Sequence, residues 1–311
     1  MPKISVIIPL YNKGFIIAET LKSVLAQTFT DFEIVIVNDG STDNGFDIVS
    51  QFSDERIQLF QQENKGAAAA RNLGIEKATG ELIAFLDADD YWYSNHLEEL
   101  IKLYIDFPSC GMYCNRYKIK TTTKHFQIPT FNGIEDDFRG IVFNYFYSNK
   151  PFRITWTSAV LIEKPILLKF GCFNEKVSNG QDLELWTKIG ISYPIAISNK
   201  TTAVYFFNTQ NSLTKRKISE MQLLDFSQFK KAEEKDIYLK EFLDLHRFFY
   251  AIQYKTIGDT KKALFYFNNI ASKNLTLTNK ILFALPSFVL QTLYKIKRLL
   301  KKIGIEFSTY N

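Results

Sequence analysis

The stretch AFLDADD, residues 84–90, ends an apolar run in three carboxylates, Asp87, Asp89 and Asp90. Two carboxylates one residue apart at a strand end can share a hard cation such as Mg2+ or Mn2+, which prefers oxygen ligands and bridges to phosphate. The competing reading is a solvated turn, with Asp90 as the cap of a helix in YWYSNHLEELIKLY. In VNDGSTD, residues 37–43, Asn38, Asp39 and Asp43 surround Gly40. Asp39 there can accept hydrogen bonds from a base edge or a ribose, and the same residues suit a tight glycine turn with Asp43 as a cap. NKGAAAARN, residues 64–72, places Gly66 ahead of a helix whose first N–H groups suit an anion, with Arg71 able to reach a diphosphate. Taken alone, that stretch reads as a surface arginine on an alanine-rich helix. GQDLELW, residues 180–186, opens a helix with Asp182 and then Glu184. Asp182 is a candidate general base and Trp186 a candidate stacking surface; a capping carboxylate and a core tryptophan are the equal alternative.

These groups need elements to hold them. ISVII, FEIVIVNDGS, IQLFQQ and ELIAFLDADD read as four strands. FIIAETLKSVLAQT, NGFDIVSQFS and GAAAARNLGIEKA read as the helices between them. Continuous apolar strands alternating with helices predict a mostly parallel α/β sheet covered on both faces, with ligands at the carboxyl ends of the strands. The polar tips YN, NDGSTD and DADD all follow their strands. Further on, FRITWTSAVLIEK reads as a returning strand followed by a helix from about Pro165, and IAISNKTTAVYFFNT as a strand and hairpin. Segments 217–236, 238–257, 260–272 and 279–303 read as helical. FFYAIQYKTIGDTKKALFYFNNIAS resembles a tetratricopeptide-type helix pair, with Tyr254, Gly258, Asp259, Ala263 and Phe267 at the interlocking positions. A helical bundle is the favoured reading of this region. The expected division is a nucleotide-sugar-binding domain over 1–215 and a helical region over 216–311, acceptor- or membrane-associated.

SVIIPLYN, VNDGSTD, N-x-G with ARN, FLDADD and GQDLELW, in this order, resemble a family 2 glycosyltransferase with the GT-A fold over about residues 3–215. The resemblance implies an inverting transfer from a nucleotide-diphosphate sugar in bacterial surface-polysaccharide synthesis. It implies that Pro9, Tyr11 and Asn12 line the nucleoside pocket, with Asp39 on the base, and that Arg71 holds nucleotide or diphosphate. Asp87 then faces the ribose or the metal, Asp89 coordinates Mn2+ or Mg2+, and Asp182 deprotonates the acceptor hydroxyl. Trp156 and Trp186 shape the acceptor side. The family usually has Glu-Asp where this chain has Gln181-Asp182, and Gln210 stands where Arg or His often precedes an Asn-Ser pair, here Asn211-Ser212. Lys215 and Arg216 are the candidates to supply that charge.

A net charge of +5 is too mild and too dispersed to argue for nucleic acid. Cys110, Cys114 and Cys172 form no disulfide framework or zinc spacing and read as packed, reduced thiols. The start of the chain shows no signal-peptide pattern and no run long enough to span a membrane, so a cytoplasmic protein is expected. LPSFVLQTLYKIKRLLKKIGI carries Phe288, Leu293, Ile296, Leu299 and Leu300 among Lys295, Lys297, Arg298, Lys301 and Lys302. This basic amphipathic helix, over 286–303, either lies on the anionic inner leaflet or packs on its own bundle. The expected partners are a nucleotide-diphosphate sugar and a glycan or lipid-linked acceptor. The alternatives are a GT-A protein that binds without turnover and, less favoured, a sugar nucleotidyltransferase, for which PLYNKG lacks the Gly-rich basic loop. Specificity is expected in loops 115–150 and 175–182.

Overall fold

The computed structural model describes residues 2–120, 126–206 and 218–302, with backbone alone at 297, 298 and 300–302. The chain clusters into two compact units, Met1–Thr214 with Gln222–Leu224 and Lys215–Met221 with Asp225–Asn311. The strands of the first unit are β1 (Ile4–Leu10), β2 (Phe32–Asp39), β3 (Ile57–Gln62), β4 (Leu82–Phe85), β5 (Tyr91–Trp92), β6 (Met112–Lys120), β7 (Phe126–Gln127), β8 (Arg139–Ile141), β9 (Val160–Glu163) and β10 (Ile195–Phe206). Its helices are α1 (Ile17–Leu25), α2 (Gly45–Ser50), α3 (Ala67–Lys77), α4 (His96–Asp106), α5 (Tyr145–Ser148), α6 (Lys164–Lys169) and α7 (Gln181–Ser192). The second unit holds α8 (Lys230–Glu233), α9 (Ile237–Thr256), α10 (Thr260–Asn268), α11 (Leu277–Ala284) and α12 (Ser287–Lys302).

The sheet runs β3-β2-β1-β4-β9-β6-β10-β5, with β7 on β6 and β8 on β10. From β3 to β4 the strands are parallel, Ile4 of β1 lying opposite Phe32 of β2 and Leu82 of β4. β2 and β4 are buried at every residue. That is why these strands read as unbroken apolar runs: both faces are covered and neither alternates. β9 enters antiparallel between β4 and β6, and β6 pairs parallel with β10. The mixed α/β sheet anticipated from the sequence is therefore present.

Several local expectations are corrected. IAISNKTTAVYF is one long strand, not a strand and hairpin. The polar residues that suggested a turn sit at register shifts between Ser198 and Ala203, where the Asn199 N–H donates to the Phe138 carbonyl at 2.9 Å. A bulge, unlike a turn, lets the strand continue past polar residues. FRITWTSAVLIEK becomes a strand only at Val160, after a 3-10 turn at Thr157–Ala159. Within the described part of 217–236 there are short turns at Ile218–Glu220 and Phe226–Phe229 and then α8, not one helix. The segment 279–303 is broken between α11 and α12, because Leu285, just before Pro286, is extended at ψ 145°. A residue preceding proline is driven out of the helical region.

In the second unit α9 is capped by Asp236, which accepts from the Tyr238 and Leu239 N–H groups. α9 and α10 pack as a pair through buried Ala263, with the Tyr254 and Tyr266 rings stacked at 5.8 Å. A buried ion cluster lies beneath. Asp244 accepts from Arg247 at 2.8 Å, from the Ala271 N–H at 3.0 Å and from Asn274 at 2.8 Å. Arg247 also reaches Glu233 at 2.5 Å. Cys110 and Cys114 are buried free thiols, and Cys172 is half-buried. No described helix is long and apolar enough to cross a membrane.

Candidate active site

From β1 the chain adds β2 and β3 on one side, then returns to place β4 on the other edge of β1. A crevice opens beyond the carboxyl ends of strands at such a reversal. The tips of β1, β2 and β4 all end there.

Pro9 lies in β1 opposite Val37, past Ile7, which faces Phe85, the last β4 partner. Its missing N–H therefore breaks no ladder on the β4 side. Tyr11, just after the strand, is 37 % exposed. Asn12 adopts φ +51°, a region asparagine tolerates. Its N–H donates to Ser41 Oγ at 3.1 Å and its Oδ1 accepts from the Thr42 N–H at 2.7 Å. The β1 and β2 tips are thus tied together.

At the β2 tip, Gly40 has φ +69°, and a Cβ there would sit 2.8 Å from the Asn64 nitrogen. Only glycine fits this turn. Asp39 is turned inward, accepting from Gln62 Nε2 at 2.7 Å, the Lys65 N–H at 2.8 Å and the Gly66 N–H at 2.9 Å. A carboxylate has about four acceptor positions, and three of these are used in shaping the 62–66 loop. Asn44, not Asp43, stands at the N-cap position of α2, but the Asp43 carboxylate still serves the first N–H of the helix. It accepts from the Gly14 N–H at 2.7 Å and the Gly45 N–H at 3.0 Å, as a turn residue.

α3 begins after Gly66 and carries Arg71, which is 7 % exposed. Its Nη2 donates to Asp87 Oδ1 at 2.5 Å, and its guanidinium lies 5.3 Å over the Phe173 ring. Asn72 donates to the Phe173 carbonyl at 2.9 Å, joining α3 to the loop that leads to α7.

Asp87, Asp89 and Asp90 have three different environments. Asp87 faces Arg71. Asp89 Oδ2 lies 2.5 Å from Lys13 Nζ. Asp90 is not a helix cap, since Asn95 precedes α4. It is buried, and its carboxyl accepts from Ser158 Oγ at 2.5 Å, Trp156 Nε1 at 3.2 Å and the Phe206 N–H at 3.4 Å. Burial, reinforced by Asp87 and Asp89, pushes the Asp90 carboxyl well above the usual range. Ser158 Oγ in turn accepts from the Asp87 N–H at 3.0 Å. Burial and then the same three carboxylates push the Tyr205 phenol upward, so it stays a hydrogen-bond donor.

Asp87 and Asp89 are oxygen-only donors, 28 % and 18 % exposed at the side chain. That set suits a hard cation which takes one or two carboxylates and completes its shell with phosphate and water. Among the described residues no three His, Cys, Asp or Glu side chains cluster to hold an ion alone. Lys13 and Arg71 balance the two carboxylates.

Gly180, at φ +92°, turns the chain into α7. Asp182 follows in the first turn, where the helix N-terminus favours a carboxylate. Its Oδ2 accepts from Arg153 Nη1 at 2.9 Å. The Arg153 carbonyl accepts from the Tyr117 hydroxyl at 3.0 Å, and the Tyr117 ring lies 5.6 Å from that of Trp156. Trp156 also packs against Tyr205 at 4.2 Å. A continuous path of contacts therefore joins Asp182 to the acidic β4 tip. Trp186 is corrected: it is 1 % exposed and packs on Phe85 and Phe173, a core residue rather than a lining one.

Lys13, Arg153, Ser158 and Tyr205 escaped the sequence reading. Lys13 and Arg153 are single cations in loops, paired with carboxylates 76 and 29 positions away, which no local pattern signals. Gln210, Asn211, Ser212, Lys215 and Arg216 lie outside the described residues.

Residues 5–175 match the family model described as glycosyl transferase family 2. Over 85 % of the chain and 97 % of the relative, the sequence is 30 % identical to the Escherichia coli UDP-Glc:alpha-D-GlcNAc-diphosphoundecaprenol beta-1,3-glucosyltransferase WfgD. An uncharacterized glycosyltransferase of Rickettsia conorii is 37 % identical over 60 % of the chain, and the match spans 30 % of that longer relative. The crystal structure of Staphylococcus aureus TarS 1–349 with UDP-GlcNAc superposes with a TM-score of 0.69 at 18 % identity, covering 94 % of this chain and 92 % of that one, a likeness of fold.

Proposed function

Because the chain belongs to glycosyltransferase family 2, we propose that it transfers a sugar, with inversion, from a nucleotide-diphosphate sugar to a hydroxyl of a glycan or lipid-linked acceptor in bacterial polysaccharide synthesis. A UDP-sugar is the first donor to try, and a sugar carried on a lipid diphosphate the first acceptor, since the E. coli relative is named for UDP-Glc and for GlcNAc-diphosphoundecaprenol. The observation that carries the reading is the acidic β4 tip beside Arg71, joined through Trp156, Tyr117 and Arg153 to Asp182.

In this reading Tyr11, Asn12 and Pro9 border the nucleoside, with Asp39 on the base. Asp87 and Asp89 are the residues that would hold a divalent cation, Mn2+ or Mg2+, which when bound would supply positive charge against the leaving diphosphate. Arg71 adds a guanidinium beside Asp87. Asp182 takes the proton of the acceptor hydroxyl as its oxygen bonds to the anomeric carbon, and the nucleoside diphosphate leaves with the bonding pair. Trp156 borders the acceptor.

The test is release of nucleoside diphosphate from UDP-sugars with Mn2+, together with a thermal-shift screen of the same donors. A shift for one donor, with release abolished by chelator and by Asp89→Ala, is the expected result. Wild-type protein that neither shifts nor releases product with any nucleotide sugar refutes the proposal. Binding without release points instead to the non-catalytic alternative.

A peripheral contact with the inner face of the cell membrane, through 286–303, is favoured by one observation. Leu290 of α12 is buried, while Phe288, Leu293, Ile296 and Leu299 on another arc of the helix are exposed, Phe288 at 70 %. That arc does not pack on its own bundle, and Lys295 lies beside it. Flotation with anionic vesicles should require residues 286–311; equal flotation of both chains would remove the membrane contact.

A further inference from the structure

We infer that Arg153 recognises the acceptor: it exchanges Asp182 for a phosphate or diphosphate group that the acceptor carries next to its reacting sugar. The inference rests on the reading of Asp182 as the base. Arg153 Nη1 and Asp182 Oδ2 are 2.9 Å apart, and the two side chains are 29 % and 26 % exposed, within reach of a ligand. The backbone around Arg153 is held firmly by contrast. Its carbonyl accepts from Tyr117, and the next N–H, of Ile154, donates to Asn149 Oδ1 at 2.7 Å. The result is a fixed root with a reachable head group.

The Asp182 oxygen that faces Arg153 already accepts a charge-assisted hydrogen bond, so an incoming hydroxyl has to share or displace it. A guanidinium presents five N–H groups in a planar fork that matches two phosphate oxygens at once. An anionic acceptor therefore anchors itself on Arg153 and clears Asp182 Oδ2 in one exchange. A neutral acceptor leaves the ion pair closed over the base. Among the described residues Lys13 and Arg71 face Asp89 and Asp87, and Arg153 is the cation paired with Asp182. The bonds made and broken in the transfer are unchanged; what changes is which acceptor opens the base.

Calorimetric titration of the full chain, saturated with UDP and Mn2+, tests this with two probes: an alkyl-diphospho-GlcNAc and the neutral alkyl glycoside of GlcNAc. Wild type should bind the diphosphate probe at least tenfold tighter, as expected for a charged hydrogen bond. Arg153→Gln should bring the two probes within about threefold of each other, chiefly by weakening the diphosphate probe, and Arg153→Lys should keep part of the preference. If Arg153→Gln melts unlike wild type, Arg153→Lys alone is judged by the same ratio. Equal binding of both probes by wild type, no binding of either, a ratio untouched by the substitution, or an equal loss for both probes overturns the inference. Donor hydrolysis by wild type is scored separately: its absence condemns the transferase proposal, whereas hydrolysis with no probe preference condemns only the role of Arg153.

Discussion

Replacing Asp90 by alanine should loosen the tip of β4 more than any other single truncation at the crevice. The substitution removes the acceptor for Ser158 Oγ at 2.5 Å, Trp156 Nε1 at 3.2 Å and the Phe206 N–H at 3.4 Å. Loss of the first leaves a buried Ser158 hydroxyl without its acceptor, next to a side chain of 1 % exposure, and costs about 1–3 kcal/mol. The second adds roughly 1 kcal/mol and the third, near the distance limit, little. The Ser158 hydroxyl can turn to another acceptor, and relief of a desolvated carboxyl offsets part of the loss. The expected net cost is about 1–3 kcal/mol, and about half that for Asp90→Asn, which keeps one acceptor oxygen. Urea unfolding followed by far-UV circular dichroism measures it. A cycle with Ser158→Ala isolates the pair, with a coupling of at least about 0.5 kcal/mol expected. An Asp90→Ala midpoint within error of wild type, or additive single substitutions, would refute the assigned network.

His96 is buried, stacked at 4.3 Å on Trp92, and burial lowers its pKa from 6.5 to about 3. Between those values the unfolded chain binds a proton the folded one refuses, so stability should fall below pH 6.5 by about 1.4 kcal/mol per pH unit, a slope that His96→Phe should remove in denaturant titrations. Gly74→Ala puts a Cβ 2.5 Å from Ile7 Cγ2 in the core, so a loss of about 1–3 kcal/mol is expected in thermal melts, with α3 and Arg71 displaced. Asp244→Ala leaves Arg247 with Glu233 alone and removes the acceptor of the Ala271 N–H and Asn274, so a cost of about 1–3 kcal/mol is expected, read as an earlier melting transition of the helical unit; no change would show the cluster to be inert.

The parallel half of the sheet was legible because β1, β2 and β4 are covered on both faces and so appear as bare apolar runs. Their polar tips then fall at one end of the sheet, since chain direction alone decides where a βαβ tip points. What failed was local: IAISNKTTAVYFFNT reads as a strand and hairpin but its described part is one strand with register shifts between Ser198 and Ala203, and Pro286 was passed over inside an amphipathic pattern. Asp90 looked like a cap because its true partners, Trp156 and Ser158, are 66 and 68 residues distant. Trp186 could be core or platform until its neighbours Phe85 and Phe173 were known. Lys13 and Arg153 carry no pattern at all; only the folded chain sets each opposite a carboxylate.

The position of β9 has a consequence for how the molecule is made. β4 joins β1 across 78 residues of chain and β9 across roughly as many again, and the serine that grips the acidic turn lies just ahead of β9. Contacts this far apart along the chain form late. A nascent polypeptide that has released only its first 150 residues already owns every strand of the parallel run and the Arg71 and Lys13 that face Asp87 and Asp89, yet Asp90 still lacks Trp156 and Ser158; the acidic turn is fastened on that side only after the ribosome delivers the segment leading into β9.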